Sequence, residues 1–158
     1  NGDIDSPEKA AKVKDKYGWL GNMSPHPIEY KGEIWKTCEC LFQSLRFKDR
    51  NIIEILKNEG SPMGVKMKSK KYKDKMVVEV MSETDVENMK LVVKLKYDKY
   101  EWIRKELNKL SGKLIYEDVS NRRGGGRKLF WGGKIENGKF IGNNVLGKIW
   151  MNLIDQKG

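Results

Sequence analysis

Thr37-Cys38-Glu39-Cys40-Leu41-Phe42-Gln43-Ser44-Leu45-Arg46-Phe47 is the stretch on which the fold class turns. Cys38, Leu41, Phe42 and Leu45 recur at three- and four-residue spacing, which puts them on one face of an α-helix. Glu39, Gln43 and Arg46 make the other stripe, at i, i+4 and i+7. Just upstream the period is two. Ile28-Glu29-Tyr30 and Glu33-Ile34-Trp35 flank Lys31-Gly32 and predict the two short strands of a hairpin. A hairpin running into helices sets an α+β expectation.

Downstream, Ile52, Ile53 and Leu56 predict a second helix. Gly60-Ser61-Pro62 breaks it, and Pro62 suits the first turn of the next. Residues 66–75 hold six lysines against one acid, Asp74. Thr84 with Glu87 fits a capping box. From there Val86, Met89, Val93, Tyr97, Tyr100, Ile103, Leu107 and Leu110 predict one long helix, ended by Gly112. Leu114-Ile115-Tyr116 is strand-like. Arg122 to Lys128 reads as a basic, flexible loop, after which Leu129-Phe130-Trp131 resumes order. Asn137-Gly138 is a turn between Ile135 and Phe140. Asn144 is placed to cap a last helix that buries Leu146, Ile149, Trp150 and Leu153. Upstream, Trp19 to Pro27 is a loop of turn residues. Residues 1–16 are polar and read as an N-terminal extension, frayed or a short helix. The expectation is therefore one mostly helical α+β domain over residues 17–158, with short β-hairpins and no internal repeat.

The chain has 158 residues, 34% of them charged and 38% hydrophobic, which is enough for a core under a densely charged surface. Its net charge of +10 favours anionic partners such as nucleic acid, a nucleotide or a phosphorylated substrate. No apolar run approaches the ~18 residues of a membrane span, so no membrane partner is expected. The opening Asn1-Gly2-Asp3-Ile4-Asp5 does not read as a signal peptide and, lacking Met, reads as a processed or trimmed end. Cys38 and Cys40, two positions apart, are poor disulfide partners and point to a reducing, cytoplasmic or nuclear setting. With His26 the only histidine, neither a Cys/His zinc site nor a His-based triad is expected.

Three constellations could carry chemistry, and each has a plain structural reading beside it. Glu39 lies opposite the apolar stripe but between Cys38 and Cys40. A desolvated carboxylate there would have a raised pKa and could act as general acid or base. Spacing alone favours an ordinary exposed glutamate. Phe130-Trp131-Gly132-Gly133 and Ile141-Gly142-Asn143-Asn144-Val145-Leu146-Gly147 could cradle an anion at a helix N-terminus, with Trp131 stacking on a ring. They equally read as a hairpin and a helix start with Trp131 in the core. Arg122 to Lys128 resembles an RGG-type nucleic-acid element, and reads more simply as a solvated loop. The lysine run at 66–75 divides the same way, between a solvated face and a phosphate-steering one.

Taken in order, these segments resemble the NADAR, or YbiA-like, family. Trp19-Leu20-Gly21-Asn22-Met23-Ser24-Pro25-His26-Pro27 is similar to its F-L-S-N-F-Y-P-S-P start. Thr37 to Phe47 matches the Glu, Phe-Gln and final Phe of its P-T-V-E-H-Y-F-Q-A-x-K-F segment. Pro62, Val65, Lys66 and Lys70 echo P-x-x-A-K-x-x-G-R, and Met89, Lys96 and Tyr97 echo M-x-x-A-L-x-x-K-F. Trp131, Gly132, Gly142, Asn144, Leu146, Gly147, Lys148 and Met151 match the closing W-G … G-x-N-x-L-G-K-x-L-M block. The ordered match covers residues 19–154.

The resemblance implies a YbiA-like fold and an N-glycosidase or ADP-ribosyl hydrolase, with no metal or cofactor. Some members cleave the C–N bond of riboflavin-pathway ribosylamines, and others remove ADP-ribose from guanine bases of DNA. Both reactions develop oxocarbenium character, which a placed carboxylate stabilises. By match, Glu39 takes that role, and Trp19, Asn22, Ser24, Gln43, Lys66, Trp131, Gly132, Gly142 and Asn144 line the nucleotide pocket. The family has an Asp three residues before its W-G Trp. Lys128 stands there instead, so Asp118 or Glu117 would have to supply the second carboxylate. Lys70 stands where the family has Arg, losing bidentate phosphate recognition. The implied partner is an ADP-ribose-containing substrate such as ADP-ribosylated DNA; a riboflavin-type substrate or a non-catalytic ADP-ribose or nucleic-acid binder are the alternatives.

Overall fold

The structure, a computed structural model, describes residues 10–120 and 126–155. In chain order its strands are β1 (Ala10–Lys12), β2 (Ile28–Tyr30), β3 (Glu33–Trp35), β4 (Leu114–Tyr116), β5 (Lys134–Glu136) and β6 (Lys139–Ile141). Its α-helices are α1 (Cys38–Ser44), α2 (Arg50–Lys57), α3 (Pro62–Lys71), α4 (Glu83–Lys99), α5 (Glu101–Asn108), α6 (Gly126–Trp131) and α7 (Val145–Asp155). The α+β, mostly helical expectation holds. Among the described residues no helix is long and apolar enough to cross a membrane. The chain packs as two compact units, one of Asn22–Lys99 and one formed by the segments up to Gly21 and from Tyr100.

In the Asn22–Lys99 unit, β2 and β3 pair antiparallel with Ile28 opposite Trp35. Lys31 (φ 50°) and Gly32 (φ 78°) both take left-handed backbone, the requirement of a two-residue hairpin turn. Thr37 Oγ1 accepts from Cys40 N at 3.0 Å and starts α1. Asp49 and Ser61 cap α2 and α3, taking the N–H groups of Asn51 (2.8 Å) and Gly64 (3.0 Å), with Pro62 opening α3 as its position predicts. Helices α2, α3 and α4 all pack on α1, and every residue of α1 is buried.

The start of α4 differs from the Thr84–Glu87 capping box. Ser82 Oγ accepts from Asp85 N (3.2 Å) and Asp85 Oδ2 from Met81 N (2.8 Å). The reciprocal logic is that of a capping box, two residues earlier and with Asp in the place of Glu. The single long helix also divides. Tyr100 is extended (φ −108°, ψ 101°), ending α4 and opening α5. No Pro or Gly marks the break, and apolar spacing continues through it, so the sequence pattern is blind to it. Met89, Val92 and Val93 are buried in one unit, and Ile103 and Leu107 in the other.

In the second unit β1 and β4 pair in parallel, Ala11 opposite Ile115. Of the segment expected to be frayed or a short helix, the last residues open a 3₁₀ helix over Asp15–Leu20, while Ala10–Lys12 is thus a strand. Ala11 is fully buried there, beside a partner strand about a hundred positions away that local patterning cannot see. Residues 126–128 of the expected basic loop lie in α6, while 121–125 fall outside the described residues. β5 and β6 form the expected hairpin, with Asn137 (φ 52°) and Gly138 (φ 75°) at its turn. Trp150 on α7 is fully buried and donates from Nε1 to Leu20 O at 2.9 Å.

Candidate functional site

Glu39 is buried, only 8% exposed. The exposed reading favoured by spacing is therefore corrected: α1 has neighbours on every side, so its polar stripe is enclosed as fully as its apolar one. Gln43 Nε2 donates to Glu39 Oε2 at 2.7 Å, the i,i+4 contact the helix allows. Arg46 Nη1 in turn donates to Gln43 Oε1 at 3.1 Å. Arg46 closes on Asp85 with two bonds, Nε to Oδ1 at 2.9 Å and Nη2 to Oδ2 at 2.8 Å. Its guanidinium also lies 4.6 Å from the centre of the Phe42 ring. The chain Glu39–Gln43–Arg46–Asp85 thus fixes the carboxylate's rotamer through partners that are themselves buried.

The loop before β2 meets the same helices. Asn22 O accepts from Glu39 N at 2.9 Å, and Asn22 Nδ2 contacts Met89 Sδ at 3.0 Å. Ser24 Oγ accepts from Lys96 Nζ at 2.7 Å and lies 2.8 Å from His26 Nδ1. Lys96 is only 1% exposed, and its burial pulls the ammonium down to about 8. His26 is lowered too, by burial and then by the Lys96 charge. Next to Glu39, Cys38 and Cys40 are buried free thiols, each pushed up to about 11 by burial. Cys38 Sγ donates to Val92 O (3.6 Å), tying α1 to α4. The structure therefore joins Glu39, Gln43 and Asn22 by hydrogen bonds, while Ser24 bonds with Lys96 and His26 as a second set in the same unit. Lys66 is half-buried on α3 and outside that hydrogen-bond chain. Arg46 and Asp85 of that chain, and Lys96 beside Ser24, are residues that sequence reasoning missed as site residues. Helical spacing put Arg46 on the polar stripe of α1 and the other two on α4, but only packing shows them buried.

The other predicted residues belong to the second unit. Trp19 is half-buried and edge-on to Trp102 (5.9 Å) and Trp150 (6.3 Å). Trp131 is half-buried at the end of α6, edge-on to Phe130 at 4.9 Å. Asp118 sits beside Gly133 in a parallel bridge, accepts from Ser120 N at 3.1 Å and pairs with Lys12 at 3.8 Å. Lys128, in the family's Asp position, is half-buried within α6. Gly132 is buried where a Cβ would meet Glu117 O at 2.4 Å, and at Gly142 a Cβ would meet Gly132 O at 2.5 Å. Close backbone crossing accounts for both glycines. Asn144 (φ 53°) is buried and donates from Nδ2 to Ile115 O at 2.9 Å. Its side chain thus ties α7 to β4, where the sequence had it capping α7.

A profile of the NADAR domain family matches residues 10–156. The chain belongs to the NADAR family. The family read from the ordered motifs is thereby borne out. The N-glycosidase YbiA proteins of Shigella flexneri serotype 5b (strain 8401) and of Shigella flexneri are each 25% identical over 144 residues, covering 91% of this chain and 84% of theirs. In three dimensions the chain is similar to the NMR structure of the E. coli protein YbiA, with a TM-score of 0.74 at 22% identity over 97% of this chain and 90% of that one. That likeness carries the fold, and it agrees with the YbiA-like architecture expected of a NADAR chain. Glu39 and Gln43, the residues matched to the NADAR Glu and Phe-Gln motif, are the two that the structure bonds directly.

Proposed function

We propose that this NADAR protein is a hydrolase that cleaves an N-glycosidic bond to ribose, removing ADP-ribose from guanine bases in DNA. The observation that carries the reading is the buried Glu39 carboxylate, held by Gln43 at 2.7 Å in the position of the family's Glu. As the bond from the anomeric carbon to the base nitrogen stretches, its electron pair leaves with the base and positive charge grows on the sugar. A fixed carboxylate in a water-poor setting stabilises that charge. It then takes the proton of the water whose oxygen bonds the anomeric carbon, while the departing nitrogen takes a proton from solvent and Glu39 afterwards returns its own to solvent. The Arg46–Asp85 pair holds Gln43 in place and neutralises itself, so the negative charge near the sugar is that of Glu39. The N-glycosidase name of the Shigella relatives supports the bond type, and the net charge of +10 supports a polyanionic substrate.

One observation favours a second reading, a non-catalytic binder of ADP-ribose. Lys128 replaces the family's Asp, and the substitute Asp118 is already held by Lys12 and the Ser120 amide.

Hydrolysis of guanine-ADP-ribosylated DNA, wild type beside Glu39→Gln, tests both. Free ADP-ribose released by wild type and lost in the variant supports the hydrolase. A Glu39→Gln protein that folds and keeps its full rate overturns the carboxylate's role. ADP-ribose binding by calorimetry with no turnover on any N-glycoside supports the binder, and turnover confined to a small ribosylamine moves the substrate to the riboflavin type.

A further inference from the structure

Six lysines lie between residues 66 and 75, along α3 and the 3₁₀ turn Lys73–Lys75 that follows it. Lys68 is taken by Glu59, at 3.6 Å. Lys66, Lys70, Lys71, Lys73 and Lys75 make no ion pair among the described residues, and the last four are exposed. Elsewhere in the same unit lysines do find carboxylates: Lys57 with Glu33 (2.7 Å), Lys90 with Glu87 (3.0 Å) and Lys94 with Asp98 (2.8 Å). Lys31, Lys36 and Lys48 make no ion pair either but stand singly, so among the described residues of this unit the densest run of uncompensated cations is this ridge, with Asp74 the lone acid in it.

We propose that this ridge docks the phosphate backbone of DNA, an inference that rests on the reading of the substrate as a DNA-borne base. The charges are spread over ten residues on more than one side of the helix rather than converging on a point, which suits a polymer better than a single phosphate. At ~1.5 Å per residue, the helical part from Lys66 to Lys71 alone rises about 7.5 Å, the axial span of roughly two phosphates of one strand, and the 3₁₀ turn with Lys73 and Lys75 extends it. An anionic membrane fits less well. Met63 (55% exposed) and Met67 (56%) are the exposed large hydrophobics of α3, far short of the broad apolar stripe that an interfacial helix buries.

The test compares wild type with Lys71→Gln/Lys73→Gln/Lys75→Gln, leaving the candidate site untouched. Binding of a short unmodified DNA duplex is followed by fluorescence anisotropy across a salt series. The triple variant is expected to bind at least about tenfold more weakly at low salt, with a log–log salt slope shallower by about 2 to 3. Its release of ADP-ribose from a free ADP-ribosylated guanosine, which has no backbone, stays at the wild-type rate. Equal duplex affinity and slope in the two proteins overturns the proposal. So does wild-type protein that ignores duplex, or that prefers single-stranded RNA or anionic phosphatidylserine vesicles to it. A duplex-binding difference without turnover of either substrate leaves the ridge standing and removes the hydrolase reading, so the two fail separately.

Discussion

Arg46 and Asp85, 39 positions apart, form a two-bonded ion pair at 2.9 and 2.8 Å whose side chains are 6% and 0% exposed. The pair links the end of α1 to the start of α4, and both partners have second tasks. Arg46 holds Gln43, and Asp85 takes the Met81 amide. A buried pair of this kind is tolerable because nearly every polar atom in it is bonded, and breaking it strands a charge.

Asp85→Ala is therefore expected to destabilise the protein by about 3–5 kcal/mol, leaving the buried Arg46 without its counter-charge. Urea unfolding checks it. A loss under about 1 kcal/mol would mean that the pair is not buried as described.

Gln43→Leu removes the 2.7 Å bond to Glu39 while roughly keeping side-chain volume. Loss of turnover by about 10–100-fold is expected, in kcat more than in KM, because the carboxylate loses its fixed direction. Steady-state kinetics on the substrate that wild type turns over, with a circular-dichroism melt to confirm folding, separates this from a folding defect. An unchanged kcat would dismiss Gln43 as a positioning residue.

Stability should vary with alkaline pH in a particular order. Burial pulls Lys96 down from its ordinary 10.5 to about 8, so between these values the unfolded chain binds the extra proton and stability rises with pH. Burial pushes Cys38 and Cys40 up from 9 to about 11, so between those values the folded chain holds the extra protons and stability falls with pH. The expected outcome is a rise from pH 8 to 9 and a reversal above 9. His26, lowered from 6.5, adds its own rise only below neutrality. Lys96→Met should flatten the rise from 8 to 9 and leave the fall. Unfolding midpoints in urea at half-unit pH steps read both limbs, and a wild-type curve that falls steadily from pH 8 would contradict the Lys96 assignment.

Gly147 sits in α7 where a Cβ would come within 2.0 Å of Ile115 O on β4. Helix propensity alone makes Gly147→Ala favourable by up to ~1 kcal/mol. The backbone contact reverses the sign, and a net loss of about 1–3 kcal/mol is expected. A thermal melt showing a stabilised Gly147→Ala protein would refute that close approach.

Much of the architecture was legible because its causes are local. The Lys31-Gly32 and Asn137-Gly138 turns, the Ser61–Pro62 start of α3 and the helical stripe of Cys38, Leu41 and Phe42 need only their neighbours in sequence. The family was legible from residue types in order, since Glu39 and Gln43 keep their spacing whatever surrounds them. The start of α4 was misread because Ser82-x-x-Asp85 and Thr84-x-x-Glu87 are equally good local caps. Asp85's bond to Arg46 is a further, nonlocal tie that the first of them has.

The sequence by itself determined the helical stripe of α1, the hairpin turns, the excess of positive charge and the NADAR motifs. Periodicity and composition are local quantities that need no partner. Tertiary structure alone decided that both stripes of α1 are buried, that Arg46 meets Asp85, that Lys96 lies out of water against Ser24, and that β1 pairs with β4. Those facts depend on which surfaces cover a segment. Periodicity tells which face of a helix is apolar, but not how many neighbours the helix has.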